Sequence, residues 1–472
     1  MSSAPVPEPD EATLRADLEA SGQGHLVLAL DRLEPQRRSA LRAQLAALDL
    51  ARVAEMAALL LRAPEAHGAE DFEPAEIFPL ERDTIQAARA RSARERGLAA
   101  LARGEVAWLL VAGGQASRLG IDAPKGTFPV GPVTGRTLFE WFARKLLSAR
   151  ERSGAAIPWY LMTSEANDAA TRAFFAANGH FGIDPHDVVF FRQGMLPALD
   201  PRGRVLLAAP ERVFWAPDGH GGVLAALAGS GALADARRRG VRTFSYFQVD
   251  NPLARPADPL FLGLHLEARA QMSSKVVAKR DAHEKVGVIG RVSGRLACIE
   301  YSDLPPRLRE ARDPGGRLLF DAGNVAMHAL DLGFVEELTR GGLKLPWHLA
   351  RKQVEALDEE GRPGTRTAFK FETFVFDALG LAERSVTLEV RRSEEFSPVK
   401  NASGEDSPAT TRADLCRLHS AWAEAAGLPL PAAGPDGVRP VEVDPFLAED
   451  LESFLARTPR EARGTERGHL YA

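Results

Sequence analysis

Cysteine and long apolar runs are both scarce in this chain. Only two of the 472 residues are cysteine, Cys298 and Cys416, and they lie far apart in the sequence. Two distant cysteines provide neither a disulfide framework nor a zinc site. No apolar run approaches the roughly 18 residues that a membrane-spanning helix requires. The first ten residues lack the basic and apolar regions of a signal peptide, so we expect a cytoplasmic protein that makes no membrane contact.

An excess of positive charge is also missing. The chain has 59 Lys and Arg against 64 Asp and Glu, and its formal net charge is -5. A general nucleic-acid binder requires a basic surface, so this composition argues against one while still allowing a local basic pocket for an anionic ligand. The hydrophobic content of 45% is ordinary for a globular protein, and a chain of this length can bury a large core.

Three consecutive regions are predicted along the chain: a helical N-terminal region over residues 1–103, a core over 104–384, and a small C-terminal domain over 385–472. The first region has helical spacing of leucine, with breaks at Pro64 and Phe72–Pro79. In the core, short apolar runs alternate with amphipathic segments, which predicts an α/β fold with a mostly parallel central sheet. Beyond Glu383 we expect first a β-rich and then a proline-rich segment.

Individual elements of the core follow from the same pattern. The predicted strands are Trp108–Val111, Trp159–Met162, Val188–Phe191, Thr243–Val249 and Ser274–Ala278. The predicted helices are Leu138–Ser148, Asp168–Ala177, Gly221–Ala228 and Pro259–Ala270. A hairpin over Val286–Glu300 is predicted to turn at Ser293-Gly294.

A glycine-rich turn after the first predicted core strand is the most informative local feature. Gly113 and Gly114 end the run LLVAGG, and Arg118 and Lys125 follow. Adjacent glycines let backbone N–H groups face phosphate oxygens, and the two side chains supply positive charge. The spacing matches neither a P-loop nor a dinucleotide fingerprint. The turn therefore predicts a nucleoside triphosphate site of another kind, and a nicotinamide oxidoreductase is disfavoured.

Several predicted strand-end loops carry polar residues, and ligands of an open parallel sheet bind at that edge. The amide of Gln193 can both donate and accept, as reading a base edge requires, although the sequence alone favours an ordinary surface loop glutamine. Gly219 allows close backbone approach to a base or ribose, and His220 beside it is either a ligand or a helix cap. Asp250 is a strand-end carboxylate suited to Mg²⁺ together with phosphates, or part of a turn.

Three further polar residues lie later in the core and beyond it. Glu300 and Asn324 offer hydrogen-bonding groups suited to sugar hydroxyls. Lys400 lies in a predicted turn, where an isolated lysine is usually only solvated.

The polar residues described above lie within a series of motifs that follow one another in this order: AGGQASRLG, APKG, FFRQGMLPAL, PDGHGGVLAAL, FQVDNPLARPADPLFLG, KVVAKRDAHEKVGVI, IEYSDL, LLFDAGNVAMH, FKFETFVFDAL and EEFSPVKNASGEDSP. Taken together, these motifs resemble those of the UDP-N-acetylhexosamine pyrophosphorylases of the wider UDP-sugar pyrophosphorylase superfamily. The resemblance extends from about Val106 to Thr411, and the segment beyond about Val441 matches that family poorly.

The resemblance implies a fold and a reaction. The fold is a Rossmann-like core of the glycosyltransferase-A type, with a helical N-terminal region and a small C-terminal domain. The reaction converts UTP and a sugar 1-phosphate, here N-acetylglucosamine 1-phosphate, into UDP-sugar and pyrophosphate with Mg²⁺ as cofactor. No obligate protein partner is implied.

The resemblance also implies roles for the residues around the nucleotide. Gly113 and Gly114 would cradle the nucleotide, and Arg118 and Lys125 would bind the phosphates that leave as pyrophosphate. Asp250 would hold the metal ion.

Further roles concern the base and the sugar. Gln193 and Gly219, with His220 beside them, would form the uracil side of the site. Glu300 and Asn324 would bind the sugar, and Lys400 would bind the phosphate of the incoming sugar.

Two departures from the family pattern bear on the choice of sugar. Ala116-Ser117 replaces the usual Gly-Thr of the glycine loop, and His220 replaces an Asn. The histidine is more typical of UDP-glucose and broad-specificity UDP-sugar pyrophosphorylases. A UTP–glucose-1-phosphate uridylyltransferase is therefore the alternative enzyme, and a non-catalytic nucleotide-sugar sensor is the alternative from another class.

Overall fold

The computed structural model describes residues 10–61, 71–457 and 463–472. The predicted break at Pro64 lies outside these residues. The helices are α1 Glu11–Ala20, α2 Gly24–Asp31, α3 Pro35–Ala46, α4 Leu50–Leu61, α5 Thr84–Ala102, α6 Leu138–Ser153, α7 Asp168–Ala177, α8 Gly222–Gly229, α9 Ala232–Arg238, α10 Pro259–Glu267, α11 Pro306–Arg309, α12 Leu332–Thr339, α13 Arg392–Glu395, α14 Pro408–Ala425 and α15 Leu451–Ala456.

The strands lie between and beyond these helices. They are β1 Phe72–Pro74, β2 Val106–Val111, β3 Trp159–Thr163, β4 Val188–Arg192, β5 Met195–Pro197, β6 Leu207–Ala209, β7 Arg212–Val213, β8 Trp215–Pro217, β9 Thr243–Gln248, β10 Met272–Ala278, β11 Val288–Val292, β12 Arg295–Ile299, β13 Ala322–Asp331, β14 His348–Leu357, β15 Pro363–Glu372, β16 Thr387–Glu389, β17 Val441–Val443, β18 Arg463–Thr465 and β19 Gly468–Tyr471.

The described residues form two compact units. The helical unit takes residues 10–61, 194–222 and 345–374, and the sheet unit takes the remainder. Both units are assembled from separate stretches of the chain. The three consecutive regions drawn from the sequence therefore stay a prediction, since they divide the chain by position and not by contact.

The central sheet of the sheet unit has the order β1-β11-β13-β9-β2-β3-β4. Strand β2 pairs in parallel with both β3 and β9, and β3 pairs in parallel with β4. Strand β13 runs antiparallel to β9 and carries β10 and β11 beside it. The predicted α/β class with a mostly parallel central sheet is confirmed, and the antiparallel strands extend the sheet on one side.

The parallel strands form because their sequences are continuously apolar, as a sheet covered on both faces requires. In β2, Trp108, Leu109 and Leu110 are fully buried. The ring of Trp108 lies edge-on to Phe247 of β9, with ring centroids 5.4 Å apart. Such aromatic pairs stabilise by about 0.5–1.5 kcal/mol beyond the area they bury. The core of this unit therefore fixes the register of the strands that end at the predicted site.

Most predicted element positions in the core are confirmed, and two helix ends are corrected. Helix α6 continues beyond Ser148 to Ser153, because the left-handed cap that ends it is Gly154, with φ +67°. Helix α10 ends at Glu267, short of Ala270, because Arg269 adopts φ +47° and leaves the helix. The predicted hairpin is formed by β11 and β12, with Ser293 and Gly294 between them.

The expected β-rich segment beyond Glu383 is wrong in part. Its longest element is α14, which has 18 residues. Ser407 caps this helix by accepting from the backbone N–H of Thr410, and Pro408 occupies its first turn. A Ser-Pro start of this kind is a helix signal that the sequence reasoning overlooked.

The helical unit confirms the predicted N-terminal helices. Leu26, Leu30, Leu41 and Leu45 are almost fully buried, whereas Leu28 is 57% exposed. The ten-residue strands β14 and β15 form an antiparallel hairpin in this unit, from His348↔Glu372 to Leu357↔Pro363. None of the described helices is long and apolar enough to cross a membrane.

Candidate active site

The glycine loop that follows β2 is closed by its own backbone hydrogen bonds. The N–H of Lys125 donates to the carbonyl of Gly114 at 3.1 Å, and the N–H of Ala116 donates to the carbonyl of Ala123 at 2.9 Å. Asn167, beyond β3, is buried and donates from Nδ2 to the carbonyl of Ala112 at 2.9 Å. The loop is thus fixed at both of its ends and from the neighbouring strand.

The surroundings of Gly113 and Gly114 differ, because only Gly113 has close neighbours where a side chain would begin. A Cβ on Gly113 would lie 3.0 Å from Oε1 of Gln193 and 3.4 Å from Cβ of Ser164. The absent side chain lets Gln193 approach the loop, so two predicted site residues are neighbours. A Cβ on Gly114 would have no atom within 4 Å, so the space above it is open to a ligand.

The next turn of the loop presents Arg118 to solvent. Arg118 lies in a 3-10 turn over Ser117–Leu119 and is exposed. Within the described part of the chain its guanidinium makes no hydrogen bond or ion pair, so its donors are available to an anion. Ala116 beside it is buried with φ -88°, an ordinary value for an L-residue, so alanine fits this turn without strain.

Lys125 at the end of the loop meets Asp250 at the end of β9. Nζ of Lys125 lies 3.1 Å from Oδ2 of Asp250, and their side chains are 16% and 14% exposed. Gly126 behind the lysine must be glycine, because a Cβ there would lie 2.1 Å from the ring of Phe139. Close packing of α6 against this turn therefore sets the position of Lys125.

A small cavity of about 40 Å³ brings three of the predicted residues together. Asp250, Asn324 and Lys400 all line it. Its other lining residues are Gln248, Asn251, Ala254, Val325, Ala326, Met327, Phe396 and Pro398.

The side chain of Lys400 makes only long contacts with its neighbours. Its Nζ lies 3.7 Å from Oδ2 of Asp406 and 5.6 Å from the ring centroid of Phe396, and the side chain is 42% exposed. Its backbone N–H donates to the carbonyl of Asp406 at 2.6 Å. The lysine therefore has a fixed backbone and a partly exposed charged end that can reach an anion in the cavity.

Asn324 lies at a distortion in β13. The pairing of β10 with β13 shifts register there, since Ser274 pairs with His328 and Val276 with Asn324. Ala326 in this distortion has φ +55°, a left-handed conformation that costs a non-glycine residue roughly 1–2 kcal/mol. The strain is local to the residues that line the cavity.

Neighbouring groups fix the amide of Asn324. Its Oδ1 accepts from the N–H of Ala326 at 3.0 Å, and its Nδ2 donates to Sγ of Cys298 at 3.6 Å. An amide has two N–H donors and two acceptor lone pairs, so Asn324 retains capacity for a ligand. Burial, followed by the charge of Glu300, raises the pKa of the Cys298 thiol, which stays protonated.

Glu300 lies beside the same group. A Cβ on Gly287 would lie 2.9 Å from Sγ of Cys298 and 3.6 Å from Oε1 of Glu300. The N–H of Asn324 donates to the carbonyl of Gly287 at 2.8 Å, so both predicted sugar-binding residues flank this glycine. Sequence reasoning missed two residues here: Cys298, which pairs with Ile289 across β11 and β12, and Gly287, which directly precedes β11.

Gly219 and His220 belong to the helical unit. Gly219 has φ +82°, and a Cβ there would lie 2.4 Å from the carbonyl oxygen of Thr373. The ring of His220 stacks on Phe374 with centroids 5.1 Å apart, and His348 stacks on Phe374 at 4.1 Å. Burial, and then the charge of His348, lower the pKa of His220 to about 4, so His220 is neutral at pH 7.

The predicted uracil-binding pair is divided between the units, since Gln193 belongs to the sheet unit and Gly219 to the helical unit. Their joint role stays a prediction.

A larger cleft of about 730 Å³ lies within the helical unit, and none of the predicted site residues lines it. Its charged groups largely pair with one another. Arg204 lies 2.8 Å from Asp200 and 2.9 Å from Glu359, and Arg366 lies 3.2 Å from Asp358. Neither its volume nor its charges identify a ligand.

The comparison with known proteins connects this geometry to a family. Residues 62–421 match the family described as UTP--glucose-1-phosphate uridylyltransferase, which is most of the chain. The chain belongs to this uridylyltransferase family. It is therefore an enzyme of the nucleotidyltransferase class, and the resemblance inferred from the motifs is confirmed.

Individual members of the uridylyltransferase family are similar over nearly the whole chain. The human UDP-N-acetylhexosamine pyrophosphorylase-like protein 1 is 37% identical over 94% of this chain and 95% of its own length. The UDP-N-acetylglucosamine pyrophosphorylase of Saccharomyces cerevisiae is 36% identical over 81% of this chain and 83% of its own. The crystal structure of the Trypanosoma brucei uridine diphosphate N-acetylglucosamine pyrophosphorylase with an inhibitor has a TM-score of 0.80 and 26% identity, covering 97% of this chain and 96% of that one.

Proposed function

We propose that this enzyme transfers UMP from UTP to N-acetylglucosamine 1-phosphate, forming UDP-N-acetylglucosamine and pyrophosphate. The observation that carries the proposal is the convergence of Asp250, Asn324 and Lys400 on one cavity at the sheet edge, with Lys125 paired to Asp250. The names of the similar human, yeast and trypanosomal proteins support the choice of substrates.

The reaction requires two polyanions to meet. A phosphate oxygen of the sugar 1-phosphate attacks the α-phosphorus of UTP in line, a new P–O bond forms, and the bond to the β-phosphate oxygen breaks to release pyrophosphate. Little covalent chemistry is left to the protein, so catalysis consists of positioning and charge neutralisation. This explains why the site contains lysines, an arginine and amides and needs no nucleophilic side chain.

The glycine loop is suited to the phosphates that leave. The open space at Gly114 gives a phosphate access to the backbone, and the exposed Arg118 has free donors. Lys125 adds a second positive charge. Fixed donors aimed at developing charge typically contribute about 10²–10³ in rate each.

The residues present fit a magnesium ion that shares its ligands with substrate phosphates. Within residues 10–61, 71–457 and 463–472, no cluster of three or more His, Cys, Asp or Glu could hold a metal by itself. Mg²⁺ commonly binds through one or two carboxylates plus phosphates, and Asp250 offers one carboxylate at the cavity. When bound, the ion would neutralise phosphate charge and align the triphosphate. Asp250 would hold it, and Lys125 would turn to the phosphates.

The second substrate would lie on the other side of the cavity. Lys400 would pair with the phosphate of the sugar 1-phosphate, and its half-exposed side chain leaves room for that movement. The spare donors and acceptors of Asn324, with the carboxylate of Glu300, would bind the sugar.

Glucose 1-phosphate is the alternative acceptor, favoured by His220 and by the description of the matched family. Pyrophosphate release from UTP, measured against a panel of sugar 1-phosphates, tests both. We expect N-acetylglucosamine 1-phosphate to give the highest kcat/KM. A protein that binds UTP yet releases no pyrophosphate with any of them would be a sensor.

The predicted cytoplasmic location and the lack of an obligate protein partner stay predictions.

A further inference from the structure

The side chain of Asn251, the residue after Asp250, hydrogen-bonds to the backbone of the segment that leads to Lys400. It is 4% exposed. Its Nδ2 donates to the carbonyl of Glu395 at 2.7 Å, and the N–H of Ser397 donates to its Oδ1 at 3.1 Å. The side-chain amide of Asn251 therefore uses both its nitrogen and its oxygen, and an apolar side chain of similar size could make neither bond.

Asp250 itself adds a third bond to the same segment. The N–H of Val399 donates to the backbone carbonyl of Asp250 at 2.8 Å. Three bonds thus tie residues 395–399 to two consecutive residues at the end of β9. Lys400 is the next residue in the chain, so its Cα is placed relative to Asp250 by these bonds.

The opposite side of the segment is anchored in the core. Nζ of Lys275, whose side chain is fully buried, lies 2.5 Å from Oε2 of Glu395. Oγ1 of Thr411 donates to the carbonyls of Ser397 at 3.2 Å and Pro398 at 3.3 Å. The segment is therefore held between β10, α14 and Asn251.

We propose that Asn251 is a positioning residue of the reaction, which places the ammonium group of Lys400 at the correct distance from the Asp250 carboxylate. The inference rests on the proposed function, in which these two groups face the two substrates. The 3.7 Å ion pair and 42% exposure of Lys400 show that its side-chain contacts do not fix the ammonium group, whose position therefore depends on where the backbone is held. A shift of about 1 Å in a positioned group can lower a rate by about 10².

The test is a double-mutant cycle between Asn251→Leu and Lys400→Ala. We expect N251L alone to lower kcat/KM for the sugar 1-phosphate by about 10–100-fold, through both a higher KM and a lower kcat. The dissociation constant of UTP should stay within about threefold, since neither residue is assigned to the nucleotide. In the K400A background, N251L should cost less than about threefold, because the group it positions is gone.

Asn178→Leu is the matched control, because its exposed side chain caps α7 through Nδ2 to the carbonyl of Phe174 at 2.8 Å, outside the site. If N251L does not fold, Thr411→Val replaces it, since it releases the same segment with little change in shape. T411V should lower kcat/KM by about 3–10-fold in the wild type and not in K400A.

The outcomes separate the two proposals. A wild-type protein that releases no pyrophosphate with any sugar 1-phosphate overturns the proposed function. An active wild type, impaired by K400A, overturns this inference alone if N251L is fully active or its cost is undiminished in K400A. Loss of UTP affinity in N251L, in parallel with kcat/KM, also overturns it, because that would show a general disturbance of β9.

Discussion

Nζ of Lys125 and Oδ2 of Asp250 lie 3.1 Å apart, which joins the glycine loop after β2 to the end of β9. These two strands are direct neighbours in the sheet, with Val111 paired to Gln248. The pair keeps a cation and a carboxylate together at the place where a triphosphate and its metal ion would bind. Binding of that substrate is expected to separate them, the lysine going to phosphate and the carboxylate to the metal.

Removing either of the two reacting-site lysines should lower turnover far more than stability. For Lys125→Ala and Lys400→Ala we expect kcat/KM to fall by about 10²–10³, because each would neutralise phosphate charge that develops in the proposed reaction. Steady-state pyrophosphate release, with thermal unfolding of each variant, measures both effects. Lys344→Ala is the control, since Lys344 is exposed. Near-normal turnover in both site variants would remove these lysines from the mechanism.

Asp250→Asn should abolish most of the activity while keeping the shape of the side chain. An amide lacks the charge that Mg²⁺ requires, so extra magnesium should not restore turnover. Calorimetric titration of UTP with and without Mg²⁺ gives a readout besides activity: the metal should strengthen binding to the wild type and not to the variant. The exposed Asp17→Asn is the control. An active Asp250→Asn enzyme would place the metal elsewhere.

The use of both sugar 1-phosphates should depend on Asn324. We expect a higher kcat/KM for N-acetylglucosamine 1-phosphate than for glucose 1-phosphate, with measurable activity on both. A pocket that merely has spare room discriminates by about 10–200-fold, whereas one that hydrogen-bonds the substituent discriminates more. Asn324→Ala should weaken use of both sugar phosphates without weakening UTP binding. A clear preference for glucose 1-phosphate would favour the alternative acceptor.

Two buried histidines predict a loss of stability in mild acid. Burial lowers the pKa of His265 to about 4 and that of His419 to about 3, below the value near 6.5 of an unfolded histidine. Between those values the unfolded chain binds more protons than the folded one, so the free energy of unfolding falls as pH drops from about 6.5 to 4. Denaturant unfolding over this range measures the slope.

His265→Gln should make that slope shallower, whatever its effect on stability at pH 7, because one titrating group is removed. For a pKa shift of this size, His265 is expected to account for up to about 3 kcal/mol of the unfolding free energy that is lost between about pH 6.5 and pH 4. An unchanged slope would show that His265 titrates normally in the folded protein.

Lys275 should be essential for stability because it is a buried cation between two carboxylates. Its Nζ lies 2.7 Å from Asp258 and 2.5 Å from Glu395, and its side chain is fully buried. Lys275→Met removes the nearest cation from both buried carboxylates and leaves Glu395 only its longer 3.8 Å pair with Arg255. Removing one partner of a buried ion pair typically costs about 3–5 kcal/mol. Urea unfolding measures this, with the exposed Lys344→Met as control. Equal unfolding midpoints for the two variants would contradict it.

The local elements of this protein were readable from the sequence because their causes are local. Continuous apolar residues in Trp108–Val111 specify a buried parallel strand, and Ser293-Gly294 specifies a turn. The glycine loop and the order of motifs also pointed to the family. The predictions were wrong where a helix-capping residue was not used. Gly154 ends α6 and Ser407 begins α14, and neither was taken as a helix boundary.

The assembly of the candidate site was decided only by the tertiary structure. Asp250, Asn324 and Lys400 are far apart in the chain, and no local pattern states that they share a cavity. These residues are brought together by the order of β2, β9 and β13 in the sheet and by the hydrogen bonds from Asn251 to the segment before Lys400. Propensity acts over a few residues, whereas strand order and buried hydrogen bonds between distant residues are set when the whole core packs.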